Sequence, residues 1–336
     1  MLRHLSIGVI GTGRMGGFHI HAWERLPCAD VVAVADPDEA ARRRAVAAGS
    51  ARGFADWRQM LDEFAGELDA VSVACPSQMH AEVTIAALEA GLNVLVEKPI
   101  ATTLPDALRM RGAARQAERK LMVGHVERFN PVVTAVARAL SEGRLGRIFR
   151  AQATRVGPLP SRIRDAGVAI DLATHDLDLM QHLLERQVAE VYADGGRFLH
   201  ATQEDMLTCL ARMGTGSDEV LGLIDVNWLT PQARRELSLV GERGSLQASF
   251  VDQLVELTEA DGTGPVRLPV EPVEPLMAEL EAFRRCVLDD TPEPVSAHDG
   301  VRALAAALAI RESASVRRPV TLLDMPAPVP ALVAVA

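Results

Sequence analysis

The 336-residue chain is 48% apolar, enough to give two domains a core each, and its formal net charge is −10. That acidic balance, with no basic face, argues against a nucleic-acid binder, and no apolar run approaches the roughly 20 residues of a membrane span. Cys28, Cys75, Cys209 and Cys286 lie far apart without a CxxC pair, so neither structural zinc nor a disulfide framework is expected and a reducing cytoplasm fits.

The N-terminal MLRHLSIGVIG has no A-x-A-like cleavage pattern and leads into a glycine motif, so it reads as a first strand and not a signal peptide. From residue 5 to about 125 the apolar runs LSIGVI, VVAVAD, DAVSVACP, LNVLVEK and KLMVGH alternate with helical patterns rich in Ala, Leu, Glu and Arg. Continuous apolar strands separated by helices predict a doubly wound parallel sheet of the Rossmann kind, whose ligands bind at the carboxyl ends of the strands. The first turn, Gly11-Thr12-Gly13-Arg14-Met15-Gly16, is a full GxGxxG between strand and helix. Its glycines permit a tight turn and close approach of a pyrophosphate to the backbone, with the helix N-terminus supplying free N–H groups. Arg14 and Met15 fall inside this cofactor-binding turn. Asp36, at the end of the second strand, can accept hydrogen bonds from the adenosine ribose and would repel a 2′-phosphate, which favours NAD over NADP. Asp36-Pro37-Asp38-Glu39 also spells a helix start with Asp36 as its cap.

The run VLVEKPIA, residues 94 to 101, ends a buried strand in Glu97-Lys98-Pro99. Among 35 basic residues only Lys98 and Lys120 are lysines, so Lys98 is unlikely to serve charge alone. What Lys offers and Arg does not is a proton that can be lost near neutral pH. The plainer reading is a snorkelling surface lysine.

After residue 145 the segments RIFRAQATRV, VAEVYADGGRF, DMLTCLARM, EVLGLIDVNWL and RRELSLVG alternate and are split by short turns, predicting a largely antiparallel open sheet in a second, α+β domain. Two late helical segments, roughly 275 to 289 and 298 to 316, either return to the first domain or cover this sheet. We divide the chain into a dinucleotide-binding domain over 1–123, a second domain over 124–325 and a Pro-rich tail over 326–336. Within the second domain, GVAIDLATHDLDLMQHLL places Asp171, His175, Asp178 and His182 on one helical stripe. Asp171 one turn before His175 could orient the imidazole for acid–base work. His and Asp at that spacing can also ligate zinc, but no further cluster supplies the remaining ligands, so no metal is expected. Asp176 lies off the stripe and reads as structural.

GxGxxG with Asp36, then Glu97-Lys98-Pro99, then Asp171 and His175, in this order, resembles the glucose–fructose oxidoreductase, inositol dehydrogenase and rhizopine-catabolism protein (Gfo/Idh/MocA) family of NAD(P)-dependent sugar and polyol dehydrogenases. The resemblance runs over nearly the whole chain. It implies that Lys98, on a turn often containing a cis peptide before the proline, reaches the reacting hydroxyl together with His175, and that Asp171 orients His175. It also implies that Pro76 and His80, in the loop Pro76-Ser77-Gln78-Met79-His80, lie near the nicotinamide with Glu97. For His80 a structural role is equally open.

The segments VGHVERFNP, RVGPLPSRIRDAGV and IDLATHDLD look like the UDP-N-acetylglucosamine 3-dehydrogenase branch, which oxidises the sugar 3-hydroxyl to a ketone. Arg155, Arg162 and Arg164 then become candidates to pair with a diphosphate, and Arg128 a further substrate contact. Asn130 before Pro131 reads as a helix cap. The same chemistry on a free polyol or aldose is the nearest alternative, and a non-catalytic NAD-binding regulator is the alternative from another class. Through the open sheet the resemblance implies a homodimer or homotetramer.

Overall fold

The computed structural model describes residues 4–47, 49, 51–64, 66–159, 166–262 and 264–322. Its first sheet has six parallel strands, β1 (Leu5–Ile10), β2 (Ala29–Ala35), β3 (Arg52–Phe54), β4 (Ala70–Val73), β5 (Asn93–Glu97) and β6 (Leu121–Gly124), in the order β3-β2-β1-β4-β5-β6. Helices α1 (Arg14–Arg25), α2 (Glu39–Ala47), α3 (Trp57–Phe64), α4 (His80–Glu89) and α5 (Leu104–Ala117) join them. The central strands are largely apolar because both faces are covered: all four residues of β4 and four of the five in β5 are buried. The order reverses between β1 and β4, so the crevice at the carboxyl ends of these strands is the expected ligand position.

The second sheet has nine strands, in the order β14-β13-β12-β11-β7-β10-β9-β8-β15. They are β7 (Ile148–Pro158), β8 (Val188–Gly196), β9 (Met206–Met213), β10 (Val220–Asn227), β11 (Leu229–Gly241), β12 (Gly244–Ser249), β13 (Leu254–Glu259), β14 (Val266–Leu268) and β15 (Val320–Thr321). Only β7 and β10 pair in parallel, so the expected antiparallel open sheet is present. Strict alternation gives it two faces. In β9, Leu207, Cys209, Ala211 and Met213 are buried while Thr208, Leu210 and Arg212 face outward.

The inner face is covered by α7 (Thr174–Leu184) and α9 (Ala297–Val316), with α6 (Pro131–Ser141) against the β12–β13 end. Of the two late helices, α8 (Pro275–Leu288) returns to the first domain, where Phe283 meets Trp23 of α1 edge-on at 6.4 Å, and α9 packs on both α5 and β8. The Val123 N–H donates to Val295 O at 3.0 Å, so the segment entering α9 continues the edge of the first sheet. The tail at 326–336 lies outside the described residues, and no described helix is long and apolar enough to cross a membrane.

Candidate active site

The GxGxxG turn is fixed by two close approaches. Gly11 sits at φ +88°, where a β-carbon would fall 2.5 Å from Cys75 N, and a β-carbon on Gly16 would fall 1.8 Å from Gly11 O. At Gly13 the position of a β-carbon is open, and α1 begins there without a side-chain cap, leaving its first N–H groups for a ligand. A cavity of about 580 Å³ adjoins this turn, lined by Thr12, Gly13, Arg14, Phe18 and Arg44 among others. These features fit the pyrophosphate and adenosine of a dinucleotide. Met15 points instead toward the core, against which it packs half-buried.

Asp36 binds the same turn: its Oδ2 accepts the Thr12 N–H at 2.6 Å and its Oδ1 the Asp38 N–H at 2.8 Å. The alternative role of Asp36 as helix cap is not what forms. Asp38 caps α2, accepting from the N–H groups of Ala40 and Ala41, because Asp36 is held back by Thr12 and Asp38 stands next to the first helical residue.

At the end of β5 the Lys98-Pro99 peptide is cis, and the Lys98 Nζ donates to Asp171 O at 3.0 Å and approaches Asp171 Oδ1 at 3.3 Å. A side chain from the first domain thus closes on the second. Pro76 opens the short turn Ser77–Met79 that leads into α4, and His80, the first residue of α4, ties the neighbouring loops together. His80 Nδ1 lies 2.9 Å from Pro99 O and Nε2 3.0 Å from Cys75 O, which gives it the structural role of holding the turn that aims Lys98. Glu97, expected beside the cofactor, is buried and has partners within the protein, with Oε1 2.9 Å from His19 Nε2 of α1 and Oε2 accepting the Lys98 N–H. A buried carboxylate needs such partners, and here the protein supplies them.

The expected polar stripe is broken by a turn of π-helix over Ala169–Ala173 that runs into α7, with the Thr174 hydroxyl donating to Ile170 O at 2.8 Å. The wider turn shifts Asp171 relative to His175, and the Asp171 carboxylate takes Lys98 as its partner. Among the described residues no hydrogen bond joins Asp171 to His175, whose Nδ1 is buried without a partner. Asp178 is also not part of a solvated face: it is buried and gripped by Arg128 at 2.8 and 2.6 Å. His175 is pushed well below its ordinary pKa of 6.5, by burial first and then by the charges of Lys98, Arg155, His125 and Arg235. It is therefore neutral at pH 7 and able to accept a proton.

Of the arginines expected at the substrate, Arg155 and Arg128 are engaged by carboxylates within the protein. Arg155, 4% exposed, donates from Nη1 to Glu127 at 2.8 Å and from Nε to Asp176 at 3.0 Å, joining β7 to α7 and to the turn after β6. A guanidinium inside the protein must be neutralised there, and two carboxylates do it. Arg128 is taken up by Asp178, with Asp299 at 3.5 Å. Arg162 and Arg164 lie outside the described residues. Asn130 caps α6 as expected, accepting the Val132 N–H at 3.0 Å.

One cation near His175 was missed at the level of motifs: Arg235 of β11, with its side chain 54% exposed and its Nη1 3.8 Å from Glu127. The alternation of RRELSLVG carries the signal, since Arg235 shares a face with the buried Leu237 and Leu239. Among the described residues no group of three metal-ligating side chains converges.

Two family models match the chain: the oxidoreductase family with NAD-binding Rossmann fold over residues 5–125, and the GFO/IDH/MocA C-terminal domain over residues 133–247. The chain belongs to the Gfo/Idh/MocA family of oxidoreductases, and its first domain is the NAD-binding domain of that family. It is 30% identical to D-apiose dehydrogenase from Paraburkholderia graminis, over 96% of this chain and 91% of that protein. With UDP-N-acetylglucosamine 3-dehydrogenase from Acidithiobacillus ferrooxidans the identity is 27%, over 92% and 96%. The crystal structure of the WlbA dehydrogenase from Bordetella pertussis in complex with NADH and UDP-GlcNAcA superposes with a TM-score of 0.85 at 26% identity, covering 96% of this chain and 99% of that one.

Three outcomes are expected from this geometry. Arg155→Ala leaves Glu127 and Asp176 buried without their cation, and thermal denaturation is expected to show a loss of about 3–5 kcal/mol; an unchanged melting temperature would mean that Arg155 is not structural. Because the pKa of His175 in the folded chain is below 6.5, the unfolded chain takes the proton first as pH falls, so this residue lowers stability below pH 6.5 and not above it. The acid-side loss of kcat/KM is likewise expected below pH 6.5, and a limb at or above that value would contradict the depressed imidazole.

Proposed function

We propose that this chain oxidises a secondary alcohol of a sugar, with NAD as hydride acceptor, and that its substrate is UDP-N-acetylglucosamine, converted at the 3-hydroxyl to the 3-keto sugar. The observation that carries the reading is the meeting of Lys98 with Asp171 beside His175, at the carboxyl end of β5, the side of the sheet on which doubly wound folds bind their ligands. NAD held by the GxGxxG turn and Asp36 would supply the acceptor for the hydride. His175, neutral at pH 7, takes the hydroxyl proton, and Lys98 donates a hydrogen bond to the oxygen as negative charge develops on it. Asp171 positions Lys98. Asp36 beside the turn favours NAD over NADP, since its carboxylate opposes a 2′-phosphate.

Three features support the choice of substrate: the VGHVERFNP and IDLATHDLD segments, the likeness to the Acidithiobacillus enzyme, and the likeness to a structure holding UDP-GlcNAcA. A free aldose or polyol is the second reading, favoured by the likeness to D-apiose dehydrogenase. We also propose a homodimer or homotetramer formed through the outer face of the second sheet. There Tyr192 of β8 and Leu223 of β10 flank Leu210 of β9 in register, an apolar strip across three strands.

With purified protein, NAD and UDP-N-acetylglucosamine, absorbance of reduced nicotinamide is expected to rise, and signal only with free aldoses or polyols would select the second reading. Lys98→Ala is expected to lower kcat by about 10²–10⁴; near wild-type turnover would remove Lys98 from the mechanism. Light scattering should give a dimer or tetramer for the wild type and smaller particles for Leu210→Asp, whereas a wild-type monomer would dismiss the interface.

A further inference from the structure

We propose that Arg235 is the anion-recognising residue of the substrate site, and that the molecule it selects is a sugar bearing a phosphate or diphosphate. The proposal deepens the functional reading above and rests on it.

Its first support is placement. Arg235 of β11 lies directly opposite Arg155 of β7 in an antiparallel pair, so the two side chains share the inner face of the sheet. Along β11 that face continues through Leu237 and Leu239, both buried under the helices. Arg235 stands where the row leaves the core, half in solvent, while Arg155 across from it is enclosed. The inner face therefore ends in a guanidinium at the rim of the site that holds His175.

Its second support is charge. Arg155 is matched by Glu127 and Asp176. Arg235 has only a 3.8 Å approach to Glu127 Oε1, the oxygen that already accepts from Arg155, and the other Glu127 oxygen accepts from Asn130. Among the described residues the Arg235 guanidinium makes no hydrogen bond, although its backbone is fixed, its carbonyl accepting the Phe250 N–H at 2.9 Å. Its backbone is thus held, its guanidinium donors are unengaged among the described residues, and its charge reaches His175. The charge is felt at His175, Asp176 and Glu127.

The chemistry that fits is an oxyanion with two free oxygens in one plane, which a guanidinium fork binds in bidentate fashion, and a phosphate ester presents this. A neutral polyol offers hydroxyl acceptors but no charge to match the guanidinium, so it gains less from this cation than an oxyanion does. The neighbouring Arg234 provides an internal control: it is equally exposed, points to the outer face, and lies near Glu236 and Asp225.

The test is calorimetric titration of UDP into the protein saturated with NADH, which blocks the adenosine pocket, for wild type, Arg235→Ala, Arg235→Lys and Arg234→Ala. Wild type is expected to bind UDP, and Arg235→Ala to bind it at least about tenfold more weakly. Arg235→Lys should recover part of the affinity, and Arg234→Ala should lie within about twofold of wild type, with affinity falling as salt rises. Equal binding by wild type and Arg235→Ala, equal losses in the Arg234 and Arg235 variants, or no binding of UDP by wild type would each overturn the proposal. The substrate reading is scored separately by turnover. Arg235-dependent binding of UDP without oxidation of UDP-N-acetylglucosamine would leave the anion site standing and discard that substrate. Oxidation with an unchanged KM in Arg235→Ala would do the reverse.

Discussion

A cation inside a protein has to be neutralised inside it, and this requirement organises the second domain and its junction with the first. Arg155 is held between Glu127 and Asp176, Arg128 by Asp178, and Lys98 by Asp171. Each of these pairs joins elements distant in sequence: β7 to the turn after β6, that turn to α7, and the end of β5 to the π-helical turn. The Arg155 clamp ties both α7 and the turn carrying Glu127 to β7, and the Arg128–Asp178 pair ties that turn to α7 directly.

The division of labour between the basic residues follows from their chemistry. Where the charge must be buried permanently and satisfied from two sides, the chain uses arginine, whose fork can bind two carboxylates at once. At the tip of β5, where we propose that a side chain reaches the reacting hydroxyl, it uses Lys98, one of only two lysines. The other, Lys120, pairs with Asp290 at 2.8 Å far from the crevice. The charged end of β5 is thereby accounted for: Glu97 is turned inward to His19 and secures the strand to α1, while Lys98 is turned toward Asp171. A strand ends in charge here because two domains meet at its tip.

Much of this is legible in the sequence. Apolar runs alternating with helical spacing led to the parallel sheet, and the alternation after residue 145 led to the open one. Lys98, Asp171 and His175 come together because each sits at a place that short-range pattern identifies: a strand end, or the face of a helix. What escaped are long-range pairings and one local irregularity. Nothing around Arg155 in sequence reveals that Glu127 and Asp176 will enclose it, so an arginine in a loop-like motif read as a ligand contact. The π turn at Ala169–Ala173 is invisible to a 3.6-residue period, so Asp171 was assigned to His175 when it belongs to Lys98. Arg235 was within reach, since its alternation with Leu237 and Leu239 places it on the inner face, but only the sheet order puts that face beside Arg155 and α7.

In the proposed reaction the hydrogen on C3 of the sugar passes directly to the dinucleotide. Incubating the protein with NAD and UDP-N-acetylglucosamine deuterated at C3, then weighing the reduced cofactor by mass spectrometry, tests it most directly. The deuterium is expected in the reduced cofactor, with a slower turnover than for the unlabelled sugar. Reduced cofactor free of deuterium, or label retained on the sugar after oxidation, would contradict it.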